Sequence, residues 1–246
     1  MRRPIVAGNW KMYTRSADAH ILATAVRNSV MNLEGIEVII CPPALWVSEV
    51  LAVVGRGGKI ELGVQNMYFE AEGAYTGEIS PLMVRDVAKY VIIGHSERRA
   101  YFGENNLDVN EKVLAALRSG LVPIICVGER KREGLPKEPR YQLEEALHRV
   151  PKKHYRDVIV AYEPVWAIGT GENAEPEYVA KVVSYLREVG LADTPVLYGG
   201  SVNSKNVEGY ARRPEIDGLL VGSASVRAAE FASICQTWAK EKIFKA

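Results

Sequence analysis

Val158-Ile159-Val160-Ala161-Tyr162-Glu163-Pro164-Val165-Trp166-Ala167-Ile168-Gly169-Thr170-Gly171 is the stretch on which the fold turns. Its first five residues are an unbroken apolar run, which reads as a strand buried on both faces. A carboxylate, Glu163, follows at once. Pro164 has no N–H and cannot extend a strand ladder, so Glu163 stands where the strand opens into a loop. Gly169 and Gly171 give that loop backbone freedom, and Val165, Trp166 and Ile168 give it an apolar face, so it can fold down as a lid. A carboxylate beneath such a lid loses water on closure and becomes more basic, because desolvation disfavours the charged form. Read alone, the stretch fits a general base under a mobile cover, and equally an ordinary strand-end glutamate before a turn.

Similar apolar runs recur on both sides of it. With Val158–Tyr162 they are Ile5–Ala7, Val38–Cys41, Ile60–Val64, Tyr90–Ile93, Val122–Val127, Val196–Tyr198 and Leu219–Val221, eight candidate strands in all. Amphipathic segments lie between them. Ser16 can cap a helix with Ile21, Leu22, Ala25, Val26 and Val30 inward. Asn105 or Asn106 can begin another, with Val109, Val113, Leu114 and Leu117 inward and Gly120 ending it. Further helices are expected over Glu177–Val189 and Val226–Trp238, and Pro136 and Pro139 confine one to about Arg140–Val150. Alternating strands and helices argue for an α/β fold with a parallel sheet. Eight such units suit a closed barrel with its helices outside. An open doubly wound sheet is the alternative, weakened because no Gly-x-Gly-x-x-Gly follows the first strand. Nothing resembling a linker divides residues 1–246, which are expected to form one domain.

Composition narrows the function. A formal net charge of +1, with 48% apolar and 25% charged residues, is that of an ordinary globular protein and argues against nucleic-acid binding. It leaves room for a local site for one small anion. Cys41, Cys126 and Cys235 are too few and too widely spaced for a disulfide framework or a Cys-x-x-Cys zinc site. The start of the chain lacks the apolar stretch of a signal peptide, and no run is long enough to cross a membrane. A soluble protein in the reducing cytoplasm is expected.

In a barrel the chemistry gathers at the carboxyl ends of the strands. After the first strand come Asn9 and Lys11, on one side if the chain stays extended; Lys11 can hold a phosphate or polarise a carbonyl, or be a solvated loop lysine. After the fourth comes Gly94-His95-Ser96-Glu97-Arg98-Arg99. If a helical turn starts after Gly94, its N–H groups favour a neutral imidazole at His95, a donor suited to a developing oxyanion; otherwise it is a surface histidine. Glu97 can orient Lys11 or pair with Arg98 or Arg99. The seventh and eighth strands end in Gly199-Gly200-Ser201 and Gly222-Ser223, small residues before helices, which form either an anion site or plain tight turns.

Taken together, Gly8-Asn9-Trp10-Lys11-Met12, Gly94 to Arg99, Ala161 to Gly171 and Tyr198-Gly199-Gly200-Ser201-Val202 resemble, in order and nearly end to end, the sequence blocks of the triosephosphate isomerase family. That family is itself a standing example of a glutamate base beside a neutral imidazole under a closing loop. The resemblance implies a (β/α)8 TIM barrel that interconverts dihydroxyacetone phosphate and glyceraldehyde 3-phosphate, with no metal or organic cofactor. It implies Glu163 as base, His95 as oxyanion donor and proton carrier, Lys11 as a positive charge near phosphate and enediolate, Asn9 as a polar contact and Glu97 in a secondary part. It implies phosphate-binding N–H groups at Gly169, Ser201, Gly222 and Ser223. Another phosphate-binding barrel enzyme, or a barrel kept as a binding scaffold, would not need the trio Lys11, His95 and Glu163.

The chain departs from the family's pattern in places. Ser223 stands where Gly is frequent, which matters if the position needs a positive φ. Glu172 to Pro176 replaces the common Lys-x-x-Thr-Pro, with consequences for lid kinetics. Lys131 to Pro139 is compact. Gln65 to Ser80 is a long loop carrying Met67, Tyr68, Phe69 and Tyr75, and exposed aromatics in a long loop point to an interface. By resemblance this loop docks into a second subunit with Thr76 reaching toward the partner's site, so a homodimer is expected, with a tetramer left open.

Overall fold

The computed structural model describes residues 2–132, 134–168 and 173–243. The chain forms β1 (Ile5–Asn9), α1 (Ser16–Val30), β2 (Glu37–Cys41), α2 (Val47–Val54), β3 (Ile60–Val64), α3 (Pro81–Arg85), β4 (Tyr90–Ile93), α4 (Ser96–Tyr101), α5 (Asn106–Arg118), β5 (Val122–Val127), α6 (Lys137–Ala146), β6 (Ile159–Tyr162), α7 (Pro176–Arg187), β7 (Val196–Tyr198), α8 (Val207–Ala211), β8 (Gly218–Val221) and α9 (Ala228–Ile243). Every strand pairs in parallel with the next, and β8 closes on β1, with Ala7 opposite Leu220. The eight apolar runs are the eight strands of a closed barrel.

Alternation along each strand divides the core in two. Ile5, Ala7, Ile39, Cys41, Tyr90, Ile92, Ile124, Cys126, Ile159, Ala161, Leu197 and Leu220 fill the barrel's interior. Their neighbours Val6, Val38, Ile40, Val91, Ile93, Ile125, Val160 and Leu219 face outward and pack against the helices. This alternation carries the site. Continuing Ile5, Ala7 gives Asn9, and continuing Ile159, Ala161 gives Glu163, so both side chains enter the barrel mouth. Cys126, opposite Ala161, lies in the layer beneath Glu163.

Several local expectations change. β1 runs two residues further than its apolar run, through Gly8 and Asn9. Arg15 is the N-cap of α1, and its N–H is held by Asp18, so Ser16 is the first helical residue and not the cap. Ile21, expected inward, is exposed. α6 starts at Lys137, because Pro139 stands in the first turn, where the N–H it lacks would have no intrahelical partner. Asn105 caps α5 as expected, accepting from the N–H groups of Leu107 and Asp108.

Candidate active site

The carboxyl ends of the strands surround a cleft of about 520 Å³, lined among others by Asn9, Lys11, His95, Glu97, Glu163, Ser201, Gly222 and Ser223. Every catalytic residue expected from the sequence faces this one cleft. Gly169 lies outside the described residues, as do Thr170, Gly171 and Glu172.

His95 reaches the mouth through a backbone turn. Alternation along β4 would place residue 94 inward, but Gly94 has φ +73°, and a Cβ there would meet Val109 Cγ2 at 2.9 Å on the outer side. The left-handed turn, which glycine tolerates, shifts the register by one and sends His95 into the cleft. His95 is then the N-cap of α4, and its Nδ1 accepts from the N–H of Glu97 at 3.2 Å. With its lone pair engaged, Nδ1 carries no proton, which leaves the proton on Nε2. Nε2 is 3.1 Å from Glu163 Oε1. The other oxygen, Oε2, accepts from the N–H of Ser96 at 3.0 Å.

Both groups are buried, and their electrostatics are coupled. Burial works against the Glu163 carboxylate, but His95, the Ser96 N–H and Lys11 outweigh it and hold its carboxyl below the usual glutamate range. Burial and Lys11 also oppose a charge on His95, but Glu163 and Glu97 outweigh them and pull its pKa upward. Against that pull stands the Glu97 N–H on Nδ1, which a second proton would displace. The geometry therefore assigns a neutral Nε2–H imidazole beside an ionised carboxylate.

Lys11 is held from two directions. Its Nζ lies 2.6 Å from Glu97 Oε1. Its backbone has φ +51°, a conformation non-glycine residues rarely adopt, fixed by Asn9 Oδ1 accepting its N–H at 3.0 Å and by Gln65 Nε2 donating to its carbonyl at 2.9 Å. Of the alternatives for Glu97, the structure has the contact with Lys11, whereas Arg98 pairs with Glu104.

Across the cleft, Gly199 approaches Glu163 so closely that an added Cβ would lie 2.8 Å from Glu163 Cγ. Ser201 Oγ donates to the carbonyl of Ala167 at 3.0 Å, tying the β7 loop to the segment after Glu163. Ser223 begins a 3-10 turn, Ser223–Val226, without a positive φ, so the serine is accommodated where glycine is frequent in the family. Ser225 Oγ donates to the carbonyls of Asn9 and Gly222, at 3.2 and 2.7 Å, and links β8 to β1.

Two residues of the neighbourhood had no sequence signal. Glu129 is buried behind the site, where its Oε1 accepts from Tyr162 Oη at 2.8 Å, Trp166 Nε1 at 2.7 Å and Tyr178 Oη at 3.3 Å. Burial raises its carboxyl pKa against the lowering effect of these donors. Arg227 stands on the cleft rim.

The loop after β3 divides in two. Met67, expected at an interface, is fully buried in the barrel's own core, and Phe69 packs against that core. Residues 70–78, including Tyr75 and Thr76, are exposed. Tyr68 bridges the halves, its ring 4.2 Å from Phe69 and 4.8 Å from Tyr75.

A closed parallel barrel that brings a carboxylate, an imidazole and an ammonium to its strand ends in one cleft is an acid–base enzyme of the (β/α)8 class. The chain belongs to the triosephosphate isomerase family, whose profile matches residues 4–238. It is 46% identical to triosephosphate isomerase of Dehalococcoides mccartyi (strain CBDB1), over 96% of each chain. Its identity to triosephosphate isomerase of Carboxydothermus hydrogenoformans is 44%, and to that of Chloroflexus aurantiacus also 44%; in both, 95% of this chain and 98% of the relative are covered.

Proposed function

We propose that the chain interconverts dihydroxyacetone phosphate and glyceraldehyde 3-phosphate through an enediol(ate), with Glu163 moving the proton between the two carbons. The observation that carries this reading is the pairing of Glu163 with a neutral imidazole whose Nε2–H is its donor. In the resting site both carboxylate oxygens are occupied by donors. A substrate carbonyl that takes over the Nε2–H frees Oε1. The carboxylate, then short of a donor and still buried, becomes more basic and can take a proton from the carbon beside the carbonyl. The electron pair moves onto the carbonyl oxygen, where His95 and Lys11 stabilise the negative charge. His95 carries a proton between the two oxygens, and Glu163 returns its proton to the neighbouring carbon. Asn9 keeps Lys11 in place, and Glu97 balances its charge.

The N–H groups around Ser201, Gly222 and Ser223 hold the phosphate. A positioned base contributes roughly 10²–10⁴ in rate and one oxyanion donor about 10²–10³. A coupled assay on glyceraldehyde 3-phosphate therefore tests the reading: Glu163→Gln should lose at least about 10²-fold in kcat, and near-normal turnover would remove Glu163 from the role.

The chain works as a homodimer in this reading. A second cleft of about 500 Å³, beside the first, is lined by Lys11, Met12, Gln65, Glu97, Arg98 and Phe102. Met12 and Phe102 are 96% and 70% exposed there, more apolar surface than a free rim needs. The exposed tip with Tyr75 and Thr76 is the segment that would enter this cleft on a second copy. Light scattering at micromolar concentration should give at least a dimer mass, and a monomer would contradict it. The cytoplasm suits three buried cysteines without a disulfide. No helix among the described residues is long and apolar enough to cross a membrane.

A further inference from the structure

The cleft has to admit a phosphate dianion, yet two of the four charged side chains lining it, Glu97 and Glu163, oppose one. Glu97 and Glu163 contribute two carboxylates against the single ammonium of Lys11, which Glu97 already holds at 2.6 Å. That leaves a net negative charge. Arg227 is the other Lys or Arg side chain among the described lining residues, and its guanidinium cancels the excess. It follows the turn Ser223–Val226 directly, four and five residues after the small pair Ser223 and Gly222. Its side chain is exposed, and among the described residues no carboxylate lies within ion-pair distance of it. Most other arginines here are neutralised, as Arg2, Arg98, Arg132, Arg140 and Arg187 are by acidic partners. A guanidinium matches phosphate geometry with its planar fork.

We propose that Arg227 is a substrate-recruiting and phosphate-selecting residue. It draws the incoming dianion over the carboxylates of the cleft and delivers it to the amides of Gly222 and Ser223. The role rests on the isomerase reading for its substrate, and it concerns binding, not the proton transfers at Glu163. A rim charge of this kind acts chiefly on association rate and salt dependence.

The test compares wild type, Arg227→Gln and Arg227→Lys on glyceraldehyde 3-phosphate at about 10 mM and about 1 M ionic strength, where the screening length falls from about 30 Å to about 3 Å. Equilibrium binding of inorganic phosphate is measured alongside. Arg227→Gln should lower kcat/KM about three- to tenfold at low salt, mostly through KM, and weaken phosphate binding by a similar factor. The gap should close at high salt, and Arg227→Lys should recover most of the loss. Unchanged kcat/KM and phosphate binding at low salt would overturn the proposal. So would a loss of the same size at both salt concentrations, which is the mark of a structural defect. If wild type failed to turn over the triose phosphate, the isomerase reading would fall, and the phosphate-binding arm would still decide whether Arg227 selects the anion.

Discussion

Nε2 of His95 and Oε1 of Glu163 stand 3.1 Å apart, with the far ring nitrogen, Nδ1, already accepting the N–H of Glu97. Donor and base are thus joined in the resting site, and each must release the other for catalysis. The protonation states follow. By ¹⁵N NMR at neutral pH, His95 should show a protonated Nε2 and an unprotonated Nδ1. An imidazolium signal in the free enzyme at that pH would mean that the pull of Glu163 and Glu97 outweighs the Glu97 N–H, and the oxyanion donor would then be a cation.

The same pair sets the pH dependence. Glu163 is held below the ordinary glutamate pKa of about 4.3. A depressed carboxyl stays ionised above that value and gains its proton only as pH falls through the lower folded pKa. In the free enzyme, then, protonation of Glu163 should not limit kcat/KM between about pH 5 and pH 8. A limb at about pH 6 belongs to the phosphate of the substrate, and it should stay in place in Glu163→Asp. A limb that moved with that substitution would assign the titration to the base.

Gly199 is the wall against which Glu163 is placed. An alanine there puts a methyl 2.8 Å from Glu163 Cγ and 3.4 Å from Oε1, so the carboxylate has to shift. Misplacement of a reacting group by about 1 Å can cost on the order of 10²-fold. Gly199→Ala should lower kcat by roughly ten- to a hundredfold while changing the melting temperature little, because the collision is with one side chain at the mouth. A variant with wild-type kcat would show that Glu163 has room the structure does not give it.

How far the chain can be read without its structure follows from the same residues. The strands were legible because a parallel barrel covers both faces of each one, so that Ile159 to Tyr162 is continuously apolar. That continuity also hides which residues point inward, and only closure of the barrel turns Glu163 and Asn9 toward one another. β1 looked too short because Gly8 and Asn9 are not apolar, although Gly8 faces Ser225 and Phe231 of the helical layer. Pro139 looked like a helix barrier and is a first-turn residue. Met67 looked like surface in a long polar loop, and nothing local revealed that the loop folds back to bury it. Glu129 had no signal because its donors come from β6, from the turn after it and from α7.

Glu129 gathers those donors onto one oxygen, while its Oε2 has no hydrogen-bond partner among the described residues. Glu129→Gln can keep the acceptor and should be tolerated. Glu129→Ala leaves the buried Tyr162 hydroxyl without this acceptor and takes one from Trp166 in the turn after β6. Each unsatisfied buried group costs about 1–3 kcal/mol. The alanine variant should therefore lose at least about 2 kcal/mol in urea unfolding, with altered Trp166 fluorescence. Equal stability of the two variants would deny the cluster its structural part.

The last prediction concerns the support beneath the β3 loop. Lys112 Nζ lies 2.6 Å from Glu104 Oε1 and donates to Asn66 Oδ1 at 2.8 Å, while Glu104 Oε2 accepts from Arg98 Nε at 2.9 Å. Lys112 and Glu104 are both buried, so neither charge can turn to water. Removing one partner of a buried pair typically costs about 3–5 kcal/mol, whereas removing both can be nearly neutral. Lys112→Met should be destabilised by about that amount, and the double variant Lys112→Met, Glu104→Leu by clearly less than the sum of the two single changes. Because Asn66 belongs to the loop whose tip carries Thr76, the proposed dimer of the single variant should also dissociate at higher protein concentration than that of wild type in analytical ultracentrifugation. Additive losses in the double-mutant cycle would show that the two charges are solvated independently.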